Sequence, residues 1–302
     1  MSLVLRAEES LRIHFERAAD PASPPRLLAA MRHAVFSGGA RIRPQLVMAV
    51  AIAGGDKNPE LTDAAAVAIE LMHCASLVHD DMPAFDNADQ RRGKPTVHKA
   101  FGEPLALLAG DALIVMAYQV LLNACVDHPQ QLAPLMQNLT SGVGLPSGIV
   151  AGQAWECEVT ADLTQYQRAK TGALFVASTC AGAMVCEADP KPWIALGAHL
   201  GEAYQVADDI RDVLGQAELL GKPIGQDVLN GRPSSASALG LGGAVQYFEG
   251  LMDKAVASVP MCSCRDLMQN MVRLEAERLV PVETRANYRV TADLPSCNLV
   301  FR

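Results

Sequence analysis

The chain has few aromatic residues and no surplus of positive charge. Aromatic residues make up 5% of its 302 residues, and the formal net charge is −8 at pH 7. A protein that binds nucleic acid needs a basic surface to neutralise phosphates, so this balance argues against DNA or RNA as a partner. An anionic small-molecule substrate is compatible with the charge, because bound metal ions can reverse the local field.

Signals for export and membrane insertion are also lacking. The N-terminal segment, MSLVLRAEESLRIHFERAAD, is charged and amphipathic, without the apolar core of a signal peptide. The apolar stretch 105–117 is interrupted by Asp111 and is too short to span a bilayer. The eight cysteines are scattered along the sequence. This pattern favours free, buried cysteines in a reducing compartment over disulfides. These features predict a cytoplasmic protein with no membrane span.

Strand patterns are scarce, whereas helical periodicity is present in nearly every long segment. Clear helices are predicted over 64–79, 104–125, 169–185 and 193–214. Alanine, leucine and valine dominate, which suits close-packed helices, and no linker rich in proline, glycine or serine divides the chain. The sequence therefore predicts an all-α protein of about ten helices, organised as a single domain over residues 1–302. The last twenty or so residues have no assigned role.

Two acidic clusters carry most of the chemical information in the sequence. One reads HDDMPAFDNADQRRG and the other reads YQVADDIRD. Gathered carboxylates repel one another, so they stay ionised together only when positive charge lies between them. Mg²⁺ typically binds through one or two carboxylates and the phosphate oxygens of a substrate. The clusters therefore indicate a metal-bridged phosphate or diphosphate, and the candidate aspartates in them are Asp80, Asp81, Asp86, Asp208, Asp209 and Asp212.

Spacing within the second cluster predicts how its side chains are directed. Asp208 and Asp212 are four residues apart, and Gln205 lies three residues before Asp208. Positions separated by three or four residues share a helix face, so these three side chains are predicted to lie together. Asp209 is predicted to point elsewhere.

The first cluster is predicted to span a helix end. His73 and Asp80 are seven residues apart and share a helix face. Pro83 disfavours helical geometry at Met82, so the helix is expected to end nearby. Asp86 must then return to the site from a turn.

Six motifs, in order along the chain, resemble those of the polyprenyl synthetase family of trans-isoprenyl diphosphate synthases. The nearest resemblance is to the bacterial geranylgeranyl diphosphate synthases of carotenoid biosynthesis. The motifs are GGARIRP (38–44), ELMHCASLVHDDMPAFDNADQRRGKPT (70–96), AGQAWE (151–156), KTGALF (170–175), YQVADDIRD (204–212) and GKPIGQD (221–227). The resemblance implies an isoprenoid synthase fold, with helices around a deep central cavity.

The resemblance also implies a reaction and a role for each matching residue. The reaction is a Mg²⁺-dependent head-to-tail condensation of isopentenyl diphosphate with an allylic diphosphate, and three Mg²⁺ ions would be held by Asp80, Asp86 and Asp208. Asp81, Asp209 and Asp212 would be outer ligands or partners. The allylic diphosphate would be bound by Arg91, Lys170, Thr171 and Lys222, and isopentenyl diphosphate by Gly39, Arg43, His73 and Arg92. Gln205 would contact the substrate hydrocarbon.

Three positions depart from the family pattern. The usual GGKRxRP motif has a lysine where this chain has Ala40, so one contact to isopentenyl diphosphate is missing unless Arg41 or another basic residue compensates. Arg232 stands where a lysine is common and keeps its charge. Gln153 and Glu156 occupy a motif that usually ends in aspartate, and they are candidates for a supporting role.

Product length is predicted from two small residues. In the family, side chains five and four residues before the first aspartate cluster form the floor of the hydrocarbon channel; here they are Ala75 and Ser76. Their small size favours the twenty-carbon geranylgeranyl diphosphate, with farnesyl diphosphate as the alternative product.

Two other functional classes are open at this point. A terpene cyclase would also carry an aspartate-rich helix, but DDIRD and the Arg91–Arg92 pair argue against it. A regulatory subunit that has lost activity is a non-enzyme alternative, opposed by both intact acidic clusters. The family resemblance further implies a homodimer.

Overall fold

Apolar residues recur at helical spacing along most of the chain, and the computed structural model is built almost entirely of helices. It describes residues 2–18, 20, 22–158, 163–214 and 234–288. The α-helices are α1 Leu3–Ala18, α2 Pro25–Val35, α3 Ile42–Ala53, α4 Pro59–Asp80, α5 Val97–Phe101, α6 Glu103–Ala124, α7 Pro129–Val143, α8 Ile149–Trp155, α9 Leu163–Gln167, α10 Ala173–Met184, α11 Ile194–Leu214, α12 Ser235–Ser258, α13 Arg265–Leu279 and α14 Val282–Tyr288.

The all-α prediction is confirmed. Within the described residues ten helices are eleven residues or longer, and the others are short pieces of five or seven residues. A two-stranded antiparallel ribbon pairs β1 (Gln90–Arg91) with β2 (Lys94–Pro95). The organisation of the whole chain as one domain stays a prediction.

One predicted helix is interrupted at its start. The sequence predicts a continuous helix over 169–185, but a π-helical turn occupies Arg168–Gly172 before α10 begins. The predicted helix over 193–214 is confirmed as α11, preceded by a 3₁₀ turn at Lys191–Trp193. Such π-helical turns accommodate an extra residue and are frequent at functional sites.

The helix that carries the first acidic cluster has clear start and stop signals. Asn58 caps α4, because its side-chain oxygen accepts a hydrogen bond from the Leu61 amide at 3.2 Å, and Pro59 takes the first helical position. The helix ends at Asp80, three residues before Pro83. The predicted helix end is thus confirmed.

Two apolar clusters form the core, and α3 and α10 contribute to both. One is centred on α4 and α6, which pack together and bury residues such as Leu71 and Leu113. The other is centred on α11 and α12, where Phe248 is fully buried. Arg43, near the start of α3, and Lys170 and Thr171, in the turn that leads into α10, line the space that forms the candidate site.

Two helices of the described chain, α4 and α6, are long and apolar enough to cross a membrane by length and composition alone. The helix predicted over 104–125 is confirmed as α6, which continues through Asp111 beyond the apolar stretch 105–117. In the apolar window of each helix, 78% of α4 and 44% of α6 is buried inside the protein.

Candidate active site

The two acidic clusters meet across one cavity of about 630 Å³. Asp80 and Asp86 line it from the end of α4 and the turn that follows, and Asp208 lines it from α11. The cavity is also lined by other residues that the sequence singled out, among them Gly39, Arg43, His73, Ser76, Arg91, Arg92, Gln153, Lys170, Thr171 and Gln205. The structure therefore brings together segments that are more than a hundred residues apart in sequence.

The turn after α4 brings Asp86 back to the cavity. The Asp86 amide donates to the carbonyl oxygen of Asp80 at 2.9 Å, and the Asn87 amide donates to that of Met82 at 3.0 Å. Asn87 adopts a positive φ of 46°, which asparagine tolerates better than most residues. The return of Asp86 from a turn agrees with the prediction.

Asp81 does not line the cavity but is buried behind it, where it holds Arg91. The Asp81 carboxylate accepts bonds from Arg91 Nε at 2.9 Å and Nη2 at 2.7 Å. Burial raises the pKa of Asp81, and the bonds from Arg91 oppose that shift. Burial likewise opposes the charge of Arg91, but the bonds and charges of the aspartates raise its pKa overall. Arg91 Nη2 lies 3.8 Å from Asp80, so Asp81 directs this cation toward the cavity.

A second group holds Lys170 against Asp80. Lys170 Nζ donates to Glu156 at 2.6 Å and to Asp80 at 3.3 Å, while Gln153 Nε2 donates to Asp80 at 2.9 Å and to Glu156 at 3.0 Å. Tyr166 also donates to Glu156, at 2.6 Å. Gln153 and Glu156 therefore hold Lys170 and Asp80 in position. Tyr166 was not identified from sequence, because a lone tyrosine outside any motif gives no signal.

The π-helical turn presents Lys170 and Thr171 to the cavity. Its backbone lies so close to α8 that a Cβ at Gly152 would fall 2.2 Å from the Lys170 amide nitrogen. Thr171 Oγ1 donates to Gln205 Oε1 at 2.8 Å, which connects the turn to α11. Close packing at a glycine thus fixes where the lysine projects.

The second acidic cluster differs from its predicted arrangement. Gln205 and Asp208 line the cavity as predicted, but Asp212 is buried and is not among the lining residues. Asp209 lies four residues after Gln205, accepts a bond from its Nε2 at 3.0 Å, and accepts another from the Ser235 amide at 2.6 Å. Gln205 therefore pairs with Asp209, four residues after it on the same helix. Asp209 in turn links α11 to the start of α12.

An arginine inside this motif connects α11 to α13. Arg211 Nη1 donates to Asp208 at 3.3 Å, while its Nε and Nη2 donate to the carbonyl oxygens of Leu279 at 2.9 Å and Arg278 at 3.2 Å. Burial lowers the pKa of Arg211, and the nearby Asp208 opposes that shift. Arg211 was not identified from the sequence, although a basic residue between two aspartates of an acidic cluster is a visible signal.

The C-terminal part of the described chain supplies a further cation to the cavity. Arg278 lines it and donates to the Tyr204 hydroxyl at 2.8 Å, and Glu275 bonds both side chains. Burial raises the pKa of Tyr204 well above its usual value. Arg278 lies outside every motif, and Tyr204, although it begins YQVADDIRD, was not assigned a role, because only the fold brings α13 beside α11.

Two arginines and a neutral histidine form the other end of the cavity. Arg43 stacks 4.5 Å over the Phe175 ring, and in the described part of the chain its buried Nε has no hydrogen-bond partner. Arg92 donates from Nη1 to the Gly38 carbonyl oxygen. Burial lowers the pKa of His73 well below 6.5, and the charges of Arg43 and Arg92 act in the same direction.

Arg41 does not compensate for the missing lysine at Ala40. Its guanidinium is fully buried and donates to Glu8 and to Glu70, each at 2.7 Å, and to the Val35 carbonyl oxygen at 2.5 Å. All three partners are protein groups, so this side chain is already occupied.

The two predicted floor residues differ in position. Ser76 lines the cavity, and its hydroxyl donates to the His73 carbonyl oxygen at 2.8 Å. Ala75 is 1% exposed and packs within the core cluster of α4 and α6 rather than along the cavity wall. Lys222 and Arg232 lie outside the described residues.

The carboxylates of the cavity are suited to bind a metal ion whose remaining ligands come from a substrate. Hard oxygen donors face each other across it in Asp80, Asp86 and Asp208. In the described part of the chain, no three acidic, histidine or cysteine side chains lie close enough to hold an ion by themselves. Mg²⁺ commonly completes its ligand set with substrate phosphate oxygens and water, so this arrangement suits a metal that arrives with a diphosphate.

The family model for polyprenyl synthetase matches residues 24–247. The chain belongs to the polyprenyl synthetase family. Geranylgeranyl diphosphate synthase from Cereibacter sphaeroides is 49% identical over 286 residues, which cover 95% of this chain and 99% of that protein. Farnesyl diphosphate synthase from Geobacillus stearothermophilus is 40% identical over 248 residues, covering 78% of this chain and 82% of that protein.

A solved structure of the same fold is geranyltransferase from Helicobacter pylori, complexed with magnesium and isoprenyl diphosphate. It is 28% identical, with a TM-score of 0.75, and the match covers 94% of this chain and 95% of that one. The family and the fold class implied by the sequence motifs are thereby confirmed.

Proposed function

We propose that this polyprenyl synthetase family member condenses isopentenyl diphosphate head-to-tail with an allylic diphosphate, in the presence of Mg²⁺, and forms geranylgeranyl diphosphate. The observation that carries the proposal is the opposition of Asp80 and Asp86 to Asp208 across one cavity with a cationic wall. The similarity to a geranylgeranyl diphosphate synthase at 49% identity over nearly the whole chain supports it.

The residues at the aspartate end would hold the allylic diphosphate. Asp80, Asp86 and Asp208 would bind Mg²⁺ ions, three in number by the family pattern, which neutralise the diphosphate as it leaves. Arg91 and Lys170 lie against Asp80 and would donate to the same diphosphate. Preorganised cations of this kind stabilise the charge that develops on a leaving group.

The residues at the opposite end would hold isopentenyl diphosphate. Arg43 and Arg92 would donate to its diphosphate, and the neutral imidazole of His73 can add a hydrogen bond without adding charge. Gly39 lets the backbone pass close to Arg92, since a Cβ there would fall 2.5 Å from Nη1. The double bond of isopentenyl diphosphate would then face the allylic carbon.

Bond formation would proceed through the allylic cation. The C–O bond to the diphosphate breaks, the isopentenyl double bond attacks the cation, and a proton is lost to restore a double bond. Following the family pattern, the departing diphosphate takes that proton. Gln205 lies beside Thr171 on the cavity wall, where it would contact the reacting hydrocarbon. Exclusion of water protects the cation from quenching.

The proposed product is the twenty-carbon chain because both floor positions are small. Ser76 lines the cavity and leaves space for a further five-carbon unit, while Ala75, packed in the core, adds no bulk to the wall. The alternative, a farnesyl diphosphate synthase, is favoured by the 40% identity to such an enzyme.

The test is an assay of the purified chain with Mg²⁺, labelled isopentenyl diphosphate and each of the dimethylallyl, geranyl and farnesyl diphosphates. A twenty-carbon product from the chain alone supports the proposal. A product that stops at fifteen carbons supports the farnesyl alternative. Absence of any product would overturn an enzymatic role and favour a regulatory subunit. Cyclic hydrocarbon from geranylgeranyl diphosphate would indicate a terpene cyclase.

We further propose a homodimer that uses the exposed apolar side chains of α6. Leu108, Val115 and Leu122 are 45% to 55% exposed and follow one another at seven-residue intervals. Equal spacing by seven places them on one face, and such a face is commonly covered by a second subunit. Analytical ultracentrifugation of Val115→Asp should show a monomer if this face is the interface. An unchanged dimer would exclude it.

A further inference from the structure

A carboxylate lies at the cationic end of the cavity, where its negative charge would oppose the binding of an anionic substrate. Glu70 is on α4, three residues before His73, and lines the cavity with Arg43 and Arg92. Its residue is only 3% exposed. Burial lowers the pKa of both Arg43 and Arg92, and the charge of Glu70 opposes that shift in each. An uncompensated carboxylate here would cancel one of the two positive charges and repel a diphosphate.

Arg41 is bonded directly to this carboxylate. Arg41 Nη1 donates to Glu70 Oε1 at 2.7 Å, and the guanidinium is completely buried. At such a distance, with little water between the groups, opposite charges compensate each other strongly. The pairing neutralises Glu70, while the buried Nε of Arg43 has no hydrogen-bond partner in the described part of the chain.

The same guanidinium fixes the loop before α3. Its other donors bond Glu8 on α1 and the Val35 carbonyl oxygen at the end of α2. The backbone of Arg41 adopts a positive φ of 50°, and Gln45 Nε2 donates to the Ala40 carbonyl oxygen at 2.7 Å. The loop that carries Gly39 is thus held in place by groups that do not face the substrate.

We propose that Arg41 is a positioning residue that neutralises Glu70, and so leaves Arg43 and Arg92 free to bind the diphosphate of the isopentenyl substrate. The inference rests on the proposed function, because it identifies that substrate as the anion at this end. Its physical content is electrostatic. Removing the Arg41 charge should weaken anion binding, and removing the Glu70 charge as well should restore it.

The experiment compares Arg41→Met, Glu70→Gln and the double variant Arg41→Met/Glu70→Gln. We expect Arg41→Met to raise the KM for isopentenyl diphosphate by about tenfold, the change that corresponds to one uncompensated charge in a partly screened site. We expect kcat to change much less, because the allylic end is untouched. Glu70→Gln should not raise the KM, and the double variant should return to within about twofold of the wild type.

A purely structural role for Arg41 gives a different pattern. The double variant still lacks the bonds to Glu8 and Val35, so a role in holding the loop would leave its KM as high as that of Arg41→Met. That result would overturn the proposal. Glu8→Gln is the matched control, since it weakens the link to α1 without changing the Glu70 pair, and it should leave the KM unchanged.

The same three variants also distinguish a folding defect from weaker anion binding. Arg41→Met leaves Glu70 buried without its partner, a change that destabilises proteins strongly. If that variant does not fold, the double variant decides: a KM near the wild-type value supports the proposal, and a raised one overturns it. Calorimetric titration with inorganic diphosphate gives a second readout. It compares the variants even if the wild type makes no prenyl product, so failure of the proposed function is distinguished from failure of this inference.

Discussion

Two glycines precede α3, and both contact Arg92, but only a Cβ at Gly39 would collide with its side chain. Both adopt positive φ, 96° at Gly38 and 128° at Gly39, so alanine at either position is strained. A Cβ at Gly39 would also fall 2.5 Å from Arg92 Nη1, whereas at Gly38 it would meet nothing within 4 Å. Comparing alanine substitutions at the two positions therefore distinguishes the effect of backbone strain from the effect of displacing Arg92.

We expect Gly39→Ala to raise the KM for isopentenyl diphosphate by tenfold or more, because Arg92 must move out of the cavity. Gly38→Ala is the matched control and should cost about 1 kcal/mol of stability with little change in KM. Steady-state kinetics and urea unfolding of both variants provide the test. Equal KM values for the two variants would contradict the assigned position of Arg92.

His73 should make the protein sensitive to mild acid. Burial lowers its pKa well below 6.5 in the folded chain. Below the unfolded pKa of about 6.5 the unfolded state binds a proton that the folded state excludes, so stability falls as pH decreases from there toward the folded pKa. Urea midpoints of His73→Gln should therefore decline less between pH 6.5 and 5 than those of the wild type. Parallel declines would show that His73 is not held neutral.

At the scale of elements, α13 stabilises the second acidic cluster through Arg211. This side chain is 8% exposed, bonds two terminal carbonyl oxygens of α13 and reaches Asp208. Arg211→Met should reduce stability by about 2 kcal/mol, because buried carbonyl groups lose their donor. It should also raise the Mg²⁺ concentration needed for half-maximal activity, since Asp208 loses its support.

Arg278→Met is the matched control for that prediction. Arg278 also lines the cavity, but it bonds Tyr204 and Glu275 rather than an aspartate of the cluster. Its loss should leave the Mg²⁺ dependence unchanged. If both variants shift the Mg²⁺ dependence equally, the effect is general to α13 and not specific to Arg211.

The floor of the product channel can be tested at neighbouring positions on α4. Ser76→Phe should shift products toward fifteen carbons, because Ser76 lines the cavity and a ring would project into it. Ala75→Phe should also shorten the product, but with a loss of about 1–3 kcal/mol from overpacking, since Ala75 is 1% exposed in the core. Chromatography of reaction extracts and thermal unfolding measure the two effects. Twenty-carbon product from both variants would place the floor elsewhere.

Elements with strong periodicity and clear end signals could be predicted, and local irregularities could not. Asn58, Pro59 and Pro83 determine the bounds of α4 through capping and ring sterics, which act between sequence neighbours. The π-helical turn at Arg168–Gly172 depends instead on packing against Gly152. Periodicity alone indicated an unbroken helix there, because the residue that favours the irregular turn lies on another helix.

At the scale of the whole molecule, the motifs predicted which residues converge but not how each one is used. Asp80 and Asp208 meet across the cavity as the sequence indicated. The bond from Gln205 to Asp209 is local, four residues apart on α11, but spacing alone did not choose Asp209 over Asp208 as the partner. The pairing of Asp81 with Arg91 depends on how the chain turns after α4, which the motif does not state. Arg41 illustrates the same limit, since its basic character indicated a substrate contact and its buried partners show otherwise.

The convergence of acids from separate helices has a consequence for global stability. Because no three metal-binding side chains of the described chain are close enough to hold an ion alone, Mg²⁺ by itself should stabilise the protein little. Mg²⁺ and inorganic diphosphate together should stabilise it by about 2.7 kcal/mol at a hundredfold excess over the dissociation constant, since both bind only the folded state. Scanning calorimetry should then show a rise of a few degrees that EDTA abolishes.

Asp208→Asn should lose that joint stabilisation, because the bridge between α4 and α11 loses a charged ligand. Asp111→Asn is the control: it makes the same acid-to-amide change on α6, where the side chain is 57% exposed and outside the cavity lining. It should keep the full effect. A full rise with Mg²⁺ alone would instead indicate a preformed metal site, and an undiminished joint effect in Asp208→Asn would mean that diphosphate is held by the α4 side alone.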